Sequence, residues 1–350
     1  MNSYAFFTDS DSDLPFRFVD ELELNMVYMP YMVDGKEYFD DLGRNGREKE
    51  FFDAMRKGAA PVTSLLPTAA YEEYFEPVFA AGRDILFVAF SSQLSGTIQN
   101  IYAAREELLQ RYPERRMIVV DTLSISLPQS ILVLKAHELY RQGKTMDEVA
   151  AWLEENKSRS QAFFTVDDLT YLRRGGRISA VAATVGTMLD LKPIITEGKN
   201  GKLLSTDKVR GRKQALRTLA ELCDYVLYDT KVMDPEKHKY YVGVLPDVIR
   251  RNLESLCADE TLRRKIIIRV PMIHGVNDGE DNITALRDYM LRLGLDTVNL
   301  LPYHNMGIGK AREAGIEQEE FETPSDETLE TARGILSDAG LHVTVMGHEG

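Results

Sequence analysis

The sequence is poor in residues that form disulfides or bind metals. Its 350 residues include two cysteines, Cys223 and Cys257, and six scattered histidines. Two cysteines cannot build a disulfide framework, which favours a reducing, cytoplasmic compartment. An iron–sulfur cluster needs at least about three thiolates, and neither an HExxH nor a CxxC spacing occurs. We therefore expect no tightly bound metal and no cofactor.

Long apolar runs and excess basic charge are also missing. No run reaches the ~18 apolar residues of a membrane-spanning helix, and the N-terminus lacks the basic and apolar regions of a signal peptide. Lys plus Arg number 42 against 55 Asp plus Glu, a net charge of −13. An acidic surface repels phosphate backbones, so nucleic acid is not expected as a partner. The composition is that of a globular protein of two or three domains.

Short apolar runs alternate with longer amphipathic segments, which predicts α/β layers with parallel strands. The predicted strands are residues 4–8, 26–32, 85–90, 117–121, 162–166, 192–196, 224–228, 265–270, 297–302 and 342–346. The predicted helices are residues 48–56, 69–81, 97–111, 129–142, 146–157, 180–189, 212–222, 248–257, 280–293 and 326–339. Thr145 and Ser325 are predicted N-caps, and Gly198 to Lys202 a hairpin turn.

Hydroxyl side chains cluster where predicted strands end. The segments are residues 8–12, 63–64, 91–97 and 121–124. Ligands of open α/β sheets bind beyond the carboxyl ends of strands, and the helix predicted to begin near Gly96 could add backbone N–H groups for a carboxylate or phosphate. The alternative is that the serines only cap helices. Because these segments contain no His or Cys, binding is favoured over nucleophilic catalysis.

A second candidate segment is residues 172–179, which contains two glycines and three arginines. Arg173 and Arg177 could form an anion-binding rim. The next predicted helix is apolar on most faces, as a helix lining an apolar cavity would be. The alternative is a solvated basic turn followed by an ordinary core helix.

Several motifs together resemble the DegV family in order and spacing over roughly residues 1–220. They are residues 7–10 with 13–15, 34–38, 63–64, 91–97, 120–122, 164–169, 174–179 and 208–212. The resemblance implies a two-domain α/β fold that holds one long-chain fatty acid between its domains. It also implies that some members present the acid to a fatty acid kinase, which makes the acyl phosphate.

The DegV resemblance further implies which residues hold the carboxylate. Thr63 and Ser92 match the family's hydroxyls, with Ser91, Ser95 and Gly96 nearby. The family commonly has Gln where this chain has Leu65, so one polar contact is absent. The family's His-Thr-Gly-Pro-Gly-type loop is not found either.

The C-terminal third resembles a different family, the radical SAM activating enzymes of glycyl-radical enzymes. The matching stretches within residues 222–349 are 225–231, 233–238, 268–278 and 300–304. This resemblance implies that Asp229, Lys231, Arg269 and His304 match positions around S-adenosylmethionine, a vestigial site here. The alternative is salt bridges at strand ends and a lone loop histidine. The CxxxCxxC motif is absent, so radical chemistry is not expected.

Together these patterns predict an α/β chain with a DegV-like mixed α/β front portion and a partial (β/α) half-barrel unit. The expected domains are residues 1–158, an incomplete second DegV-like domain at 159–221, and 222–350. The leading hypothesis is a fatty-acid-binding protein without enzymatic turnover, with a fatty acid kinase as candidate partner. The alternatives are a cluster-less fragment or subunit of an activating enzyme, and an inert chimera.

Overall fold

A computed structural model describes residues 4–166, 169–176, 191–303 and 321–346. The chain divides into two compact units, residues 1–211 and 212–350. Parallel and antiparallel sheets both occur, which confirms the mixed α/β class. The finer division at residues 158 and 221 stays a prediction.

The first unit contains ten described strands and seven described α-helices. Its strands are β1 Tyr4–Asp9, β2 Asn25–Val27, β3 Pro30–Val33, β4 Lys36–Phe39, β5 Val62–Thr63, β6 Asp84–Ala89, β7 Met117–Asp121, β8 Phe163–Phe164, β9 Leu191–Glu197 and β10 Leu203–Arg210. Its helices are α1 Phe16–Glu21, α2 Glu48–Arg56, α3 Thr68–Ala80, α4 Thr97–Arg111, α5 Ser126–Arg141, α6 Met146–Asn156 and α7 Thr170–Arg174.

The second unit alternates strands and helices. Its helices are α8 Arg212–Leu222, α9 Pro235–Val242, α10 Asp247–Cys257, α11 Glu260–Arg263, α12 Glu280–Leu293 and α13 Asp326–Ser337. Its strands are β11 Val226–Asp229, β12 Ile266–Met272, β13 Thr297–Pro302 and β14 His342–Val345. None of the helices in the described ranges is long and apolar enough to cross a membrane.

The central sheet of the first unit is parallel, in the order β2-β1-β6-β7. Neighbouring residues of β6 point into different cores: Leu86 packs with residues of α5 and α6, and Phe87 packs with residues of α3 and α4. A parallel sheet covered on both faces needs continuous apolar strands. This explains why residues 85–89 read as an unbroken apolar run.

One predicted strand, residues 26–32, was wrong. The chain forms β2 in the central sheet and then β3 in a separate antiparallel sheet of order β4-β3-β5. Pro30 begins β3, and a proline has no N–H for a strand ladder. The hairpin between β3 and β4 was missed, although Asp34-Gly35 carries the positive φ values, 50° and 77°, of a tight two-residue turn.

The turn predicted at Gly198 to Lys202 is confirmed, in a sheet of order β10-β9-β8. The Gly198 N–H donates to the Lys202 carbonyl at 2.8 Å, and Gly201 has φ +77°. Both N-caps are also confirmed. Thr145 forms a reciprocal capping box with Glu148, and the Ser325 hydroxyl accepts the Thr328 N–H. The helix predicted at residues 180–189 lies outside the described residues.

The second unit is a parallel sheet whose strands lie in chain order, β11-β12-β13-β14. Burial alternates along β12: Ile266, Ile268, Val270 and Met272 are buried, and the residues between them are half-buried. The buried set packs on residues of α10, α12 and α13 in one core. Helices thus cover one face of this sheet, while the half barrel itself stays a prediction.

Candidate functional site

The hydroxyl segments at the ends of β6 and β7 lie together, as predicted. The Ser91 N–H donates to the Ser124 carbonyl at 3.0 Å. The Ser92 N–H donates to Asp121 Oδ1 at 3.2 Å. Parallel neighbours end at the same edge of a sheet, so segments roughly 30 positions apart meet in one loop cluster.

The segment around Thr63 reaches the same region from the antiparallel sheet. β5 places Thr63 opposite Tyr31 of β3. Asn100 Nδ2, in the first turns of α4, donates to the Leu66 carbonyl at 2.8 Å. A Cβ built on Gly96 would lie 3.7 Å from Leu65 Cδ1. The chain that follows Thr63 therefore contacts the N-terminus of α4.

The hydroxyls of Thr63 and Ser92 remain available as donors. Ser92 Oγ accepts a bond from Gln93 Nε2 at 3.2 Å, which leaves its own proton unused. Thr63 is exposed. Neither hydroxyl donates to any residue that the structure describes. Within the described residues, both residues that the family resemblance assigned to the carboxylate thus have unused O–H groups, as does the exposed Ser64.

The hydroxyls of Ser91 and Ser95 are occupied within the protein. Ser91 Oγ, fully buried, donates to the Gly201 carbonyl at 3.1 Å and accepts the Gln93 N–H at 3.3 Å. Ser95 Oγ accepts the Thr97 N–H at 3.2 Å and pairs with Thr97 Oγ1 at 2.8 Å. Ser91 therefore supports the loop. Ser95 makes a local turn with Thr97, while the N-cap residue of α4 is Gly96, which has no side-chain cap bond.

Residues 8–12, at the end of β1 and just after it, also use their hydroxyls internally. Thr8 Oγ1 donates to the Val88 carbonyl at 2.9 Å, and Ser12 Oγ donates to the Asp9 carbonyl at 2.8 Å. Ser10 Oγ accepts the Met29 N–H at 3.0 Å. Thr8, Ser10 and Ser12 are completely buried. Thr8 and Ser10 thus connect this segment to other parts of the chain, and Ser12 stabilises the local turn.

Asp9 connects the chain after β6 to helix α5. The sequence analysis did not assign it a binding role. Its Oδ2 accepts the Phe90 N–H at 2.9 Å, and its Oδ1 accepts Gln129 Nε2 at 2.8 Å. Burial raises the pKa of Asp9 to about 6 because a low-dielectric environment penalises the carboxylate. Gln129 was missed by the sequence analysis, although a polar residue on the buried face of a helix is a signal for such a contact.

The turn between β9 and β10 closes over this loop cluster. A Cβ on Gly201 would lie 2.6 Å from Ser91 Oγ and 3.1 Å from Leu123 Cα. Only glycine fits so close an approach at φ +77°. Leu123 and Ser126 themselves have positive φ values of 54° and 56°, a conformation that costs energy outside glycine and often marks functional loops.

The predicted arginine rim lies largely outside the described residues. Arg173 lies in α7, and its side chain is outside the described residues. Arg177 and the apolar segment 181–189 lie outside them as well. The rim therefore stays a prediction.

In the second unit, three of the four residues matched to S-adenosylmethionine positions line one pocket. Asp229, Lys231 and Arg269 surround a cavity of about 440 Å³, and His304 lies outside the described residues. An Arg269 guanidinium nitrogen lies 2.7 Å from Asp229 Oδ1, so the expected alternative of a strand-end salt bridge holds for this pair. In the described ranges, no group of three or more His, Cys, Asp or Glu could hold a metal ion.

The fold is that of an α/β protein with a hydroxyl-rich loop cluster at the carboxyl edge of a parallel sheet. A family model described as "Uncharacterised protein, DegV family" matches residues 3–255. The chain belongs to the DegV family.

Individual relatives agree with this assignment. A DegV domain-containing protein of Clostridium perfringens is 36% identical over 243 residues, covering 69% of this chain and 82% of that protein. A solved DegV family protein from Thermus thermophilus, described by its fatty acid binding, is 31% identical, with a TM-score of 0.54, and the match covers 70% and 90% of the two chains. The Bacillus subtilis DegV structure, described as a fatty acid binding protein, shares the fold at 23% identity and TM-score 0.55, covering 77% and 92%.

The family match extends further than the motifs predicted. It continues to residue 255, beyond the expected end near residue 220. The Bacillus subtilis match covers 77% of 350 residues, which is more than the 211 residues of the first unit. The fold similarity therefore continues into the second unit. Nothing in these comparisons supports the resemblance of residues 222–349 to activating enzymes, or a chimera.

Proposed function

We propose that this protein binds a long-chain fatty acid, with the carboxylate held by the hydroxyls of Thr63 and Ser92. The observation that carries this proposal is the contrast within the loop cluster. Ser91 and Ser95 are bonded internally, while Thr63 and Ser92 donate to no residue that the structure describes, and the chain after Thr63 contacts the N-terminus of α4. A carboxylate accepts such O–H bonds in the stronger, charge-assisted form.

The surroundings of the two hydroxyls favour an anion. The 15-residue helix α4 begins at Thr97, and its N-terminus carries the positive end of the helix dipole. Asp121, a carboxylate within the same loop cluster, already accepts the N–H groups of Ser92 and Leu123. Its charge is therefore partly compensated by the backbone.

The ligand class follows from two further arguments. The solved family members from Thermus thermophilus and Bacillus subtilis are described as fatty acid binding. The exposed Leu65 beside Gly96 offers apolar surface next to the head group. Transfer of the acyl chain from water contributes about 0.8 kcal/mol per buried methylene.

The protein acts by binding rather than by turnover, with a fatty acid kinase as its partner. The loop cluster contains neither His nor Cys, so its serines have no imidazole or thiolate partner for nucleophilic catalysis. A carboxylate held at the surface-exposed Thr63 stays accessible to a second protein that phosphorylates it.

The direct test is to denature the purified protein, extract it and identify bound acids by mass spectrometry. After delipidation, calorimetry with palmitate compares the wild type with Thr63→Val and Ser92→Ala. Each loss of a hydrogen bond to a charged group should cost about 1–3 kcal/mol of binding free energy. Ser337→Ala, which removes a surface hydroxyl of α13 in the second unit, is the control.

Two comparisons of affinity distinguish the contribution of the carboxylate from that of the acyl chain. Affinity should rise from laurate to palmitate because of the added methylenes, and hexadecanol should bind more weakly than palmitate because it lacks the charge. Unchanged palmitate affinity in both Thr63→Val and Ser92→Ala would contradict the site.

A further inference from the structure

The pocket of about 440 Å³ in the second unit is a separate candidate site. Its lining includes Asp229 at the carboxyl end of β11, the residues that follow this strand, and Arg269 in the middle of β12. Parallel α/β sheets bind ligands beyond the carboxyl ends of their strands. Its volume is within the range of about 300–1,000 Å³ typical of small-molecule sites. None of the residues proposed to bind the fatty acid lines it.

The backbone around the pocket entrance is held in place. The Thr230 N–H donates to the Arg269 carbonyl at 2.9 Å, which extends the strand ladder past Asp229. Asn277, 1% exposed, donates from Nδ2 to the Lys231 carbonyl at 2.6 Å and to the Pro271 carbonyl at 2.7 Å. A buried amide that joins two strand ends preorganises the residues between them.

The charges at the entrance are unbalanced. Lys231, Arg250 and Arg269 line the pocket with one carboxylate, Asp229, which leaves an excess of two positive charges. Asp229 is already paired with Arg269 at 2.7 Å. Arg250 donates to the Met233 carbonyl and lies 5.8 Å from the Tyr289 ring. Within the described part of the chain, neither Lys231 nor Arg250 has a carboxylate partner.

The interior of the pocket is apolar and uncharged. Val232, Val242, Ile249 and Leu253 contribute aliphatic surface. Burial raises the pKa of both Tyr228 and Tyr289 to about 12, so the phenols stay neutral. The Tyr228 hydroxyl donates to the Ile249 carbonyl at 2.6 Å.

His238 adds one polar atom to the wall. Its Nδ1 lies 2.7 Å from the Val244 carbonyl, and a carbonyl only accepts, so Nδ1 carries the proton. In the neutral ring, Nε2 is then an acceptor, and no described residue donates to it. A ligand with a hydroxyl or N–H group could use this position.

We propose that this pocket binds a small organic anion with a compact apolar or aromatic body. The anionic group, a carboxylate or a phosphate, pairs with Lys231 and Arg250 at the entrance, and the body packs on the aliphatic interior and Tyr289. This separates the pocket from the first unit's site, which takes an extended acyl chain.

The test uses 4-phenylbutyrate and phenyl phosphate, titrated by calorimetry into the full chain preloaded with palmitate. Palmitate is added to block the first unit's site, and Ser92→Ala detects any probe that binds there, so failure of the fatty-acid site is distinguished from failure of this proposal. We expect one molecule bound per chain and about tenfold weaker binding in Lys231→Met, since an ion-paired hydrogen bond is lost. Lys237→Met, which removes an exposed ammonium of α9 outside the pocket, should bind like the wild type. The neutral 4-phenylbutan-1-ol should bind about tenfold more weakly than 4-phenylbutyrate, because it lacks the charge.

The outcomes separate clearly. Binding of either probe that is sensitive to Lys231→Met supports the proposal, and the preferred probe identifies the anionic group. The absence of binding for both probes up to about 10 mM, where even weak millimolar sites are populated, overturns it. Binding that survives Lys231→Met and is lost in Ser92→Ala would also overturn it, because the probe would then occupy the first unit. Lys231 is exposed, so loss of folding does not confuse the result.

Discussion

The two parallel sheets end differently at their carboxyl edges. In the first unit the edge is closed: Asp9 is fully buried, Ser91 is bonded to Gly201, and a turn covers the loops. In the second unit the edge opens into a pocket with an exposed Lys231. The polar groups of the closed edge mostly bond to the backbone, whereas Lys231 and Arg250 at the open edge have no carboxylate partner among the described residues. Polar residues at strand ends therefore indicate a ligand site only where the fold leaves them unbonded.

The sheets also differ in how many faces are covered. β6 has buried residues on both faces, in two separate cores, while β12 alternates between buried and half-buried residues. The stability of a sheet between two helix layers depends on every strand residue. The stability of a sheet with one helix layer depends on every second residue.

The largest expected effect tests this difference in covered faces. Leu86→Ala and Phe87→Ala should each destabilise the first unit, by about 2–5 and 3–5 kcal/mol of unfolding free energy, because both side chains are fully buried. In β12, Ile268→Ala should cost about 2–5 kcal/mol, and its neighbour Ile267→Ala less than about 1.5 kcal/mol because it is already partly exposed.

Urea unfolding measures these costs unit by unit. Trp152, the single tryptophan, packs against the core that contains Leu86, so its fluorescence follows the first unit. Far-UV circular dichroism follows the whole chain and reports the β12 variants. Equal costs for Ile267→Ala and Ile268→Ala would mean that the second face of that sheet is also covered.

Much of this architecture could be predicted from the sequence. Helices at residues 48–56, 97–111, 212–222 and 280–293 have the predicted bounds because apolar periodicity marks a helix face directly. The strand predicted at residues 26–32 failed because an apolar run does not show to which sheet its halves belong. Pro30 was the local signal that the run is interrupted.

The loop cluster was predictable in place and less so in detail. The clustering of residues 91–97 with 121–124 followed from their positions after parallel strands. Ser91 and Ser92 are adjacent and chemically identical, yet only Ser91 bonds to Gly201, which lies 110 residues away in the chain. Local sequence cannot distinguish them, since the partner is supplied by a distant turn.

The turn that contains Gly201 packs tightly against the loop cluster of the first unit, and the next prediction tests whether this close packing contributes to stability. Gly201 and Gly275 have nearly equal φ values, +77° and +74°, and belong to the closed and the open edge. Gly275→Ala should cost about 1–2 kcal/mol for the left-handed conformation alone, as no atom lies within 4 Å of its Cβ position. Gly201→Ala should cost roughly 2–4 kcal/mol, since its Cβ also collides with Ser91 and Leu123.

Thermal unfolding of both variants, with Trp152 fluorescence for Gly201→Ala, gives the comparison. Gly201→Ala should also reduce palmitate affinity because displacement of Ser91 moves Ser92. Equal losses for the two glycines would show that the turn is not packed against the loop.

The smallest of these effects concerns the charge of Asp9. Because burial raises its pKa to about 6, Asp9 holds a proton in the folded state at pH values where it has lost it in the unfolded state. Stability should therefore fall as pH rises from about 4 to about 6, and the loss should persist above that window. Asp9→Asn removes the ionisation and should stabilise the protein at pH 8 by on the order of 1–3 kcal/mol.

The substitution leaves one unpartnered side-chain atom on Gln129, as in the wild type, although Nε2 then takes the place of Oε1. In Asp9→Asn, the carbonyl oxygen of the new side chain would keep the bond from the Phe90 N–H, and Gln129 could turn its unpartnered Oε1 to accept the new amide N–H.

Asp229→Asn, at the open edge, is the matched control: its carboxylate is exposed and paired with Arg269, so its loss should cost at most about 1 kcal/mol. Urea unfolding of the three proteins between pH 4 and pH 8 decides the point. If wild-type stability is flat across this range, or if Asp9→Asn is the less stable protein at pH 8, then the closed edge does not bury an ionised carboxylate, and the contrast between the two edges rests on packing alone.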